Sequence, residues 1–173
     1  FMMTMNEKDK NEMLGAILAE GETYQCKLWG TIMADAKTYA AIGGISLIAG
    51  SGAAALGALS NAYCYLGMTE NNINFVIVDS VNVSKIKNSI SIPKSSITKA
   101  EVKGGLLPGR KVVLLHFGKT KMKISLMNNA IGSDIQNQKR ECREILSDSS
   151  SYIIKKKLEG EEGYGRYSNK RSY

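Results

Sequence analysis

The stretch Lys111-Val-Val-Leu-Leu-His-Phe-Gly-Lys-Thr-Lys-Met-Lys-Ile-Ser-Leu-Met127 decides the fold class of this 173-residue chain. It begins with a nearly continuous apolar run that ends at Phe117, which predicts a central strand. A turn is predicted at Gly118–Thr120, after which apolar and polar side chains alternate over Lys121–Met127. Alternation with a period of two is typical of a strand with one buried face, so the stretch predicts a β-hairpin.

Further strand patterns precede this hairpin, and residues that favour turns separate them. The predicted strands are Glu22–Met33, Tyr63–Met68, Ile73–Val78, Val81–Lys87, Ile90–Pro93 and Ile97–Lys103. The chain is therefore expected to fold as a mainly β (α+β) domain of about seven antiparallel strands.

Two amphipathic helices are predicted outside the strands. The first covers Asn6–Glu20 and is stopped by Gly21. The second is expected to begin at Ser133 as N-cap, with Gln136 at the capping-box position. Their apolar stripes comprise Met13, Leu14, Ile17 and Leu18 in the first helix and Ile135, Cys142, Ile145 and Leu146 in the second.

An uncharged segment runs from Thr38 to Thr69, and its apolar surface must be buried in this protein, in a partner or in a membrane. Three interpretations stay open: a hairpin that turns at Gly50–Gly52 and either dips into one leaflet or lies against protein, one continuous packed helix, and a flexible loop. The residues predicted to contact a membrane or partner are Ile42, Ile45, Leu47, Ile48, Leu56 and Leu59. Those predicted to allow close helix packing are Ser46, Gly50, Ala54 and Ala58.

Charge is distributed unevenly along the chain. Residues 1–70 carry a net charge of −3 and residues 71–173 carry +10, out of a total of +7. This asymmetry is compatible with an anionic partner, and also with solvated strand faces and a basic tail. The candidate anion-binding residues are Lys103, Arg110, Lys111, Lys121, Lys123, Lys155, Lys156 and Lys157.

The sequence offers no catalytic or metal-binding constellation. The one histidine, His116, is expected to be a hydrogen-bonded residue of the strand wall, and Trp29 is expected to be a core residue. Cys26, Cys64 and Cys142 are widely spaced, which predicts buried thiols in a reducing compartment. We therefore expect no cofactor, no bound metal and no enzymatic activity.

Three short motifs resemble those of bacterial pleckstrin-homology-like (PH and GRAM-type) domains. The first, Gly21-Glu22, is similar to the pair that opens many of these domains. The second resembles their turn between strands and reads Leu66-Gly67-Met68-Thr69-Glu70-Asn71-Asn72-Ile73. The third resembles the segment that enters their next strand and reads Ser91-Ile92-Pro93-Lys94-Ser95-Ser96-Ile97. The resemblance covers roughly Gly21–Ser147 without the apolar insertion. It implies a PH-like split barrel closed by a C-terminal helix, and a binding or oligomerisation module.

Together these observations predict an N-terminal helix over 1–20, a PH-like domain over 21–151 with an apolar insertion at about 38–62, and a basic flexible tail over 152–173. The predicted function is non-enzymatic binding at the membrane face through the insertion and a basic surface. The alternatives are a homo-oligomeric protein–protein assembly module and nonspecific nucleic-acid binding through the tail, the latter less expected. The N-terminus lacks the features of a signal peptide, so a bacterial cytosolic location, peripheral to the membrane, is expected.

Overall fold

The computed structural model describes residues 4–47, 62–104, 108–128 and 133–147. Within these ranges the chain forms seven strands, three α-helices and one 3-10 turn. The strands are β1 (Cys26–Met33), β2 (Ala62–Met68), β3 (Asn72–Val78), β4 (Ile86–Pro93), β5 (Lys99–Gly104), β6 (Arg110–Phe117) and β7 (Thr120–Met127). The helices are α1 (Glu7–Ala16), α2 (Ala36–Ile45) and α3 (138–147), and the 3-10 turn is Lys94–Ser96.

All seven strands belong to one antiparallel sheet with the order β4-β3-β2-β1-β7-β6-β5. The two halves of this sheet meet where β1 pairs with β7, over the short register Thr31–Ser125 to Met33–Lys123. An open seven-stranded sheet followed by a C-terminal helix is consistent with a PH-like fold. The predicted fold class, mainly β with an N-terminal helix and an insertion between the first two strands, is confirmed.

The main core lies on one face of the sheet, because alternate residues of each strand point to that face. Leu28, Phe75 and Met122 are fully buried there. Helix α3 covers this core with Cys142 and Ile145. The Gln138 side chain fixes the start of α3. Its amide oxygen accepts from the backbone N–H of Trp29, and its amide nitrogen donates to the backbone carbonyls of Trp29 and Met127.

A second apolar cluster lies on the opposite face of the sheet, beneath α1. Met13 and Leu14 of the helix pack there with Tyr65 and Val76 of the strands. Asn6 caps α1 by accepting from the Asp9 N–H at 2.8 Å. The helix ends at Ala16, earlier than the predicted Glu20, and the partly exposed Trp29 borders this second cluster rather than the main core.

The prediction that Ser133 caps the last helix is wrong. The Ser133 hydroxyl donates instead to the Met5 carbonyl, and α3 begins only at residue 138, after Asn137 with its positive φ of 58°. Two further bonds join this segment to α1: the Glu7 N–H donates to the Asp134 carboxylate and the Gln136 N–H to the Glu7 carboxylate, both at 2.9 Å. Long-range contacts thus override the local capping pattern.

The predicted strand Val81–Lys87 is wrong for residues 81–85, and only Ile86 and Lys87 belong to a strand. Asp79 organises a loop over 79–85, because its carboxylate accepts from the Val81 and Asn82 N–H groups at 2.8 and 2.9 Å. Strand β4 then runs without interruption from Ile86 to Pro93, across the break between the predicted strands Val81–Lys87 and Ile90–Pro93. An aspartate that hydrogen-bonds the backbone two and three residues ahead favours a turn over extended structure.

Part of the predicted insertion is helical. The Asp35 side chain caps α2 by accepting from the Thr38 N–H, and the helix ends at Ser46. Tyr39 and Ile42 of this helix are buried in the main core. Their burial offsets the weak helix propensity of Gly43 and Gly44, since tertiary packing supplies most helical stability in proteins.

Gly67 is expected to resist substitution. A Cβ on Gly67 would lie 2.6 Å from Cδ1 of the Tyr24 ring. The ring cannot easily move, because its hydroxyl donates to the Leu14 carbonyl and accepts from the Asn74 amide. Gly67→Ala should lower the free energy of unfolding by about 1–3 kcal/mol in urea denaturation.

The matched control for this prediction is Gly15→Ala. Gly15 lies in α1 with open space around it. Alanine there should stabilise the protein by about 0.5–1 kcal/mol, because it lowers the entropy lost on helix formation. Equal effects of the two substitutions would contradict the close approach of Gly67 to Tyr24.

Candidate functional site

A groove of about 640 Å³ lies on the outer face of the sheet, between β5–β7 and the start of α2. Five lysines from α2, β5, β7 and the β6–β7 turn surround it, and we call it the lysine groove. Its lining comprises Lys37, Lys103, Lys119, Lys121 and Lys123, the polar residues Asp35, Thr38 and Thr120, and Met33, Ala34, Gly104, Val112 and Leu114.

Strand register brings the lysines of β5 and β7 to one face. Lys121 and Lys123 point outward because Met122 and Ile124, which alternate with them, are buried in the core. Lys103 of β5 pairs with Val112 of β6. Val112 and Leu114 lie on the same outer face and give the groove an apolar floor.

The opposite wall of the groove is the first turn of α2. The Thr38 N–H donates to the Asp35 carboxylate at 2.7 Å, and the Thr38 hydroxyl donates to the Lys121 carbonyl at 3.4 Å. These bonds fix α2 against β7. Lys37 lies between the two bonded residues and remains exposed at the edge of the groove.

The electrostatics of the groove favour an anionic ligand. Among the described residues that line the groove, Asp35 is the one carboxylate, and hydrogen bonds from Thr38 hold the pKa of that carboxyl below its usual range. In the part of the chain that the structure describes, none of the five lysines forms an ion pair. Clustered cations of this kind attract an anion by Coulomb interaction.

Glu101 lies beside the groove, but its charge is already compensated. Its two carboxylate oxygens contact the Lys99 ammonium and the His116 ring, each at 2.9 Å. The bonds from Lys99 and His116 lower the pKa of Glu101 to about 2. His116 is therefore a paired residue of the strand wall, as predicted. Glu101 pairs directly with Lys99 and His116, and it interacts with the groove residue Lys103 only by a smaller Coulomb contribution.

The structure brings together three of the predicted anion-binding residues, Lys103, Lys121 and Lys123. Two others do not line the groove: the Arg110 guanidinium donates to the Ser125 hydroxyl at 2.7 Å, and Lys111 is exposed elsewhere on β6. The predicted residues Lys155, Lys156 and Lys157 lie outside the described residues.

Sequence reasoning did not assign Lys37 and Lys119 to the site. The one available signal was their position, since Lys37 follows a helix-capping aspartate and Lys119 occupies the hairpin turn. Neither position indicates that the two residues share a groove, because that depends on how α2 packs against β7.

The residues of the insertion that were predicted to contact a membrane or partner lie in different environments. The prediction for Ile42 needs correction, because its side chain is 0% exposed in the protein's own core and is unavailable to a membrane or partner. Leu47, in contrast, is 61% exposed. Ile45 belongs to α2, but its side chain, like the whole of Ile48, Leu56 and Leu59, lies outside the described residues.

Of the four small residues predicted to allow close helix packing, Ser46 belongs to the described residues. Ser46 ends α2, and its hydroxyl accepts from the Ser91 N–H of β4, so its described contact is with a strand edge rather than a helix. Gly50, Ala54 and Ala58 lie outside the described residues.

The arrangement of possible metal ligands and the length of the helices bear on metal binding and membrane crossing. Within 4–47, 62–104, 108–128 and 133–147, no group of three or more His, Cys, Asp or Glu side chains is arranged to hold a metal ion. In the same ranges, no helix combines the length and apolar character that a membrane crossing requires.

No protein-family profile matches the chain, and no curated protein matches it. Among solved structures, the hSac2 domain from the human phosphoinositide phosphatase Sac2 is similar, with a TM-score of 0.41 and 12% sequence identity, over 86% of this chain and 80% of that chain. Membership of the bacterial PH and GRAM-type family stays a prediction.

Proposed function

We propose that this protein is a non-enzymatic binding module whose lysine groove docks on anionic membrane surfaces. The observation that carries the proposal is the convergence of five lysines from α2, β5, β7 and the β6–β7 turn on one groove. Lysines near a membrane surface each gain about 1 kcal/mol from the negative potential of anionic lipids. Several lysines on one face therefore support adhesion to such a surface.

The apolar insertion supports a membrane over a soluble anion. Its residues 48–61 lie in the chain between the exposed Leu47 and Ala62 at the start of β2. Ala62 pairs with Ile32 of β1, and Ile32 precedes the groove residue Met33 in the chain. The uncharged segment thus returns to the fold beside the groove. Stable attachment to a membrane commonly needs both an apolar and an electrostatic contribution, and this chain supplies both.

A binding role is favoured over catalysis by the residues of the groove. The lining combines lysines, threonines and apolar side chains, and its carboxylate is engaged in capping α2. The cysteines are buried in the core, and burial raises the pKa of the Cys64 and Cys142 thiols to about 12. These thiols are poor nucleophiles, since the thiolate is the reactive form.

The proposal predicts selective sedimentation with anionic vesicles. The full chain should sediment with vesicles of phosphatidylcholine and phosphatidylserine, should not sediment with phosphatidylcholine alone, and should be released as salt is raised. The variant Ile48→Ser/Leu56→Ser/Leu59→Ser, which keeps the charge, should bind the anionic vesicles more weakly.

Light scattering on the same samples distinguishes the alternatives. Membrane docking would be contradicted if the chain bound neither kind of vesicle. An assembly module would be favoured if, in addition, the triple serine variant had a lower mass in solution than the wild-type chain. Equal binding to both kinds of vesicle would contradict the role assigned to the lysine groove.

A further inference from the structure

The loop over 79–85 is a rigid, hydrogen-bonded structure at the end of the β3–β4 hairpin. Besides the two bonds accepted by its carboxylate, Asp79 donates its N–H to the Lys85 carbonyl at 2.9 Å. The Lys85 N–H in turn donates to the Asn82 carbonyl at 2.9 Å, and the Asp79 carboxylate contacts the Lys87 ammonium at 3.3 Å. The loop conformation is thus fixed by hydrogen bonds and an ion pair that join its first residue, Asp79, to residues at its end.

This loop holds an apolar side chain in solvent. Val81 is 84% exposed, the largest value among the exposed large hydrophobic residues of the described ranges. Its neighbour Val83 is buried in the cluster beneath α1, and the Ser84 hydroxyl donates to Asp9 of that helix. One side of the loop is therefore anchored to the domain, while the Val81 side chain is left largely uncovered by the described residues.

Val81 lies at the same end of the sheet as two other exposed apolar residues. Tyr63 at the start of β2 is 42% exposed, and Ile86 at the start of β4 is 47% exposed. The register pairs Cys64 with Ile77 and Ile86 with Val78, so the start of β2, the end of β3 and the start of β4 share one end of the sheet.

The same end of the sheet carries one side of the lysine groove. Strand β1 ends there at Met33, which lines the groove and pairs with Lys123. The β6–β7 turn with Lys119 lies at this end too, because β7 runs antiparallel to β1. An apolar rim formed by Tyr63, Val81 and Ile86 therefore shares its end of the sheet with a cationic groove.

We propose that the loop over 79–85 inserts Val81 into the headgroup and acyl boundary of an anionic membrane, with Tyr63 and Ile86 at the interface. The proposal rests on the proposed function, and it orients the domain with this end of the sheet toward the bilayer. A membrane is the occupant because the neighbouring lysines complement anionic headgroups, and because a single projecting valine needs a fluid apolar phase rather than a shaped pocket.

The test places an environment-sensitive fluorophore on the full chain by Val81→Cys. The native cysteines among the described residues are all buried, so the new thiol should be labelled selectively. The matched control is Ser95→Cys, an exposed and nearly isosteric position beyond the end of β4. Pro93 at that end pairs with Asn72 at the start of β3, which is the opposite end of the sheet.

Vesicles containing phosphatidylserine should shift the emission of the label at position 81 to the blue and protect it from an aqueous quencher, while the label at position 95 stays unchanged. Val81→Asp should weaken vesicle binding about tenfold or more relative to Val81→Ala, the change expected when an acidic group replaces one buried valine.

The outcomes separate this inference from the proposed function. Vesicle binding without a spectral change at position 81 would overturn the inference and leave the proposed function intact. A similar change at both positions would overturn the orientation, and with it the inference. Absence of vesicle binding in the wild-type chain would overturn the proposed function and the inference together.

Discussion

Replacing Lys103, Lys121 and Lys123 together by glutamine is expected to weaken binding to phosphatidylserine-containing vesicles on the order of 100-fold. The three side chains line the groove and have no ion-pair partner among the described residues. Each contributes about 1 kcal/mol to attraction by an anionic surface, and about 1.4 kcal/mol corresponds to a factor of ten. Titration of vesicles against the labelled or intrinsically fluorescent protein gives the affinity ratio.

The control for this experiment removes three charges away from the groove. Lys8, Lys27 and Lys139 lie on α1, β1 and α3, and replacing them by glutamine gives the same net charge. Binding of this variant should change far less, because attraction to a surface depends on which face carries the charge. Equal losses in the two triple variants would show that net charge, and not the groove, determines binding.

Ile42→Ala is expected to lower the free energy of unfolding by about 2–5 kcal/mol, the usual range for removing a fully buried aliphatic side chain. Ile42 packs in the main core together with Tyr39, so its truncation leaves a cavity between α2 and the sheet. Leu47→Ala, at an exposed position five residues later, should change stability by no more than about 0.5 kcal/mol. Urea denaturation monitored by circular dichroism measures both values.

This pair of variants also separates the two roles once predicted for the insertion. A small effect of Ile42→Ala together with a loss of vesicle binding would place Ile42 on a contact surface and contradict its burial in the core. A large loss of stability confined to Ile42→Ala would mean that deletions in this region must begin after Ser46 to leave the fold intact.

Much of the fold could be predicted from the sequence where one residue pattern determined one structure. Alternation over Lys121–Met127 predicted β7 correctly because Met122, Ile124 and Leu126 all face the core. The predictions failed where a polar side chain forms a hydrogen bond with backbone groups, either far away in the sequence or a few residues ahead. The Ser133 hydroxyl reaches Met5, 128 residues away, and Asp79 turns a segment that alternates like a strand. Hydrophobic periodicity does not report such bonds.

The candidate site was predictable only in part, for a related reason. The outward position of Lys121 and Lys123 follows from strand alternation, which the sequence displays. Their proximity to Lys37 does not, because it requires α2 to start beside β7 and to bury Tyr39 and Ile42. The uncharged character of the segment after Thr38 indicated burial without indicating which of its residues belong to the core.

The bonds between α1 and residues 133–136 have a consequence for the order in which the domain assembles. Glu7 precedes all the described strands in the chain, whereas its partners Asp134 and Gln136 follow β7. The first helix therefore completes its polar contacts among the last steps of folding, and contacts of such long sequence separation slow folding in general. On the ribosome, the nascent domain should remain incompletely closed until the segment before α3 has left the exit tunnel.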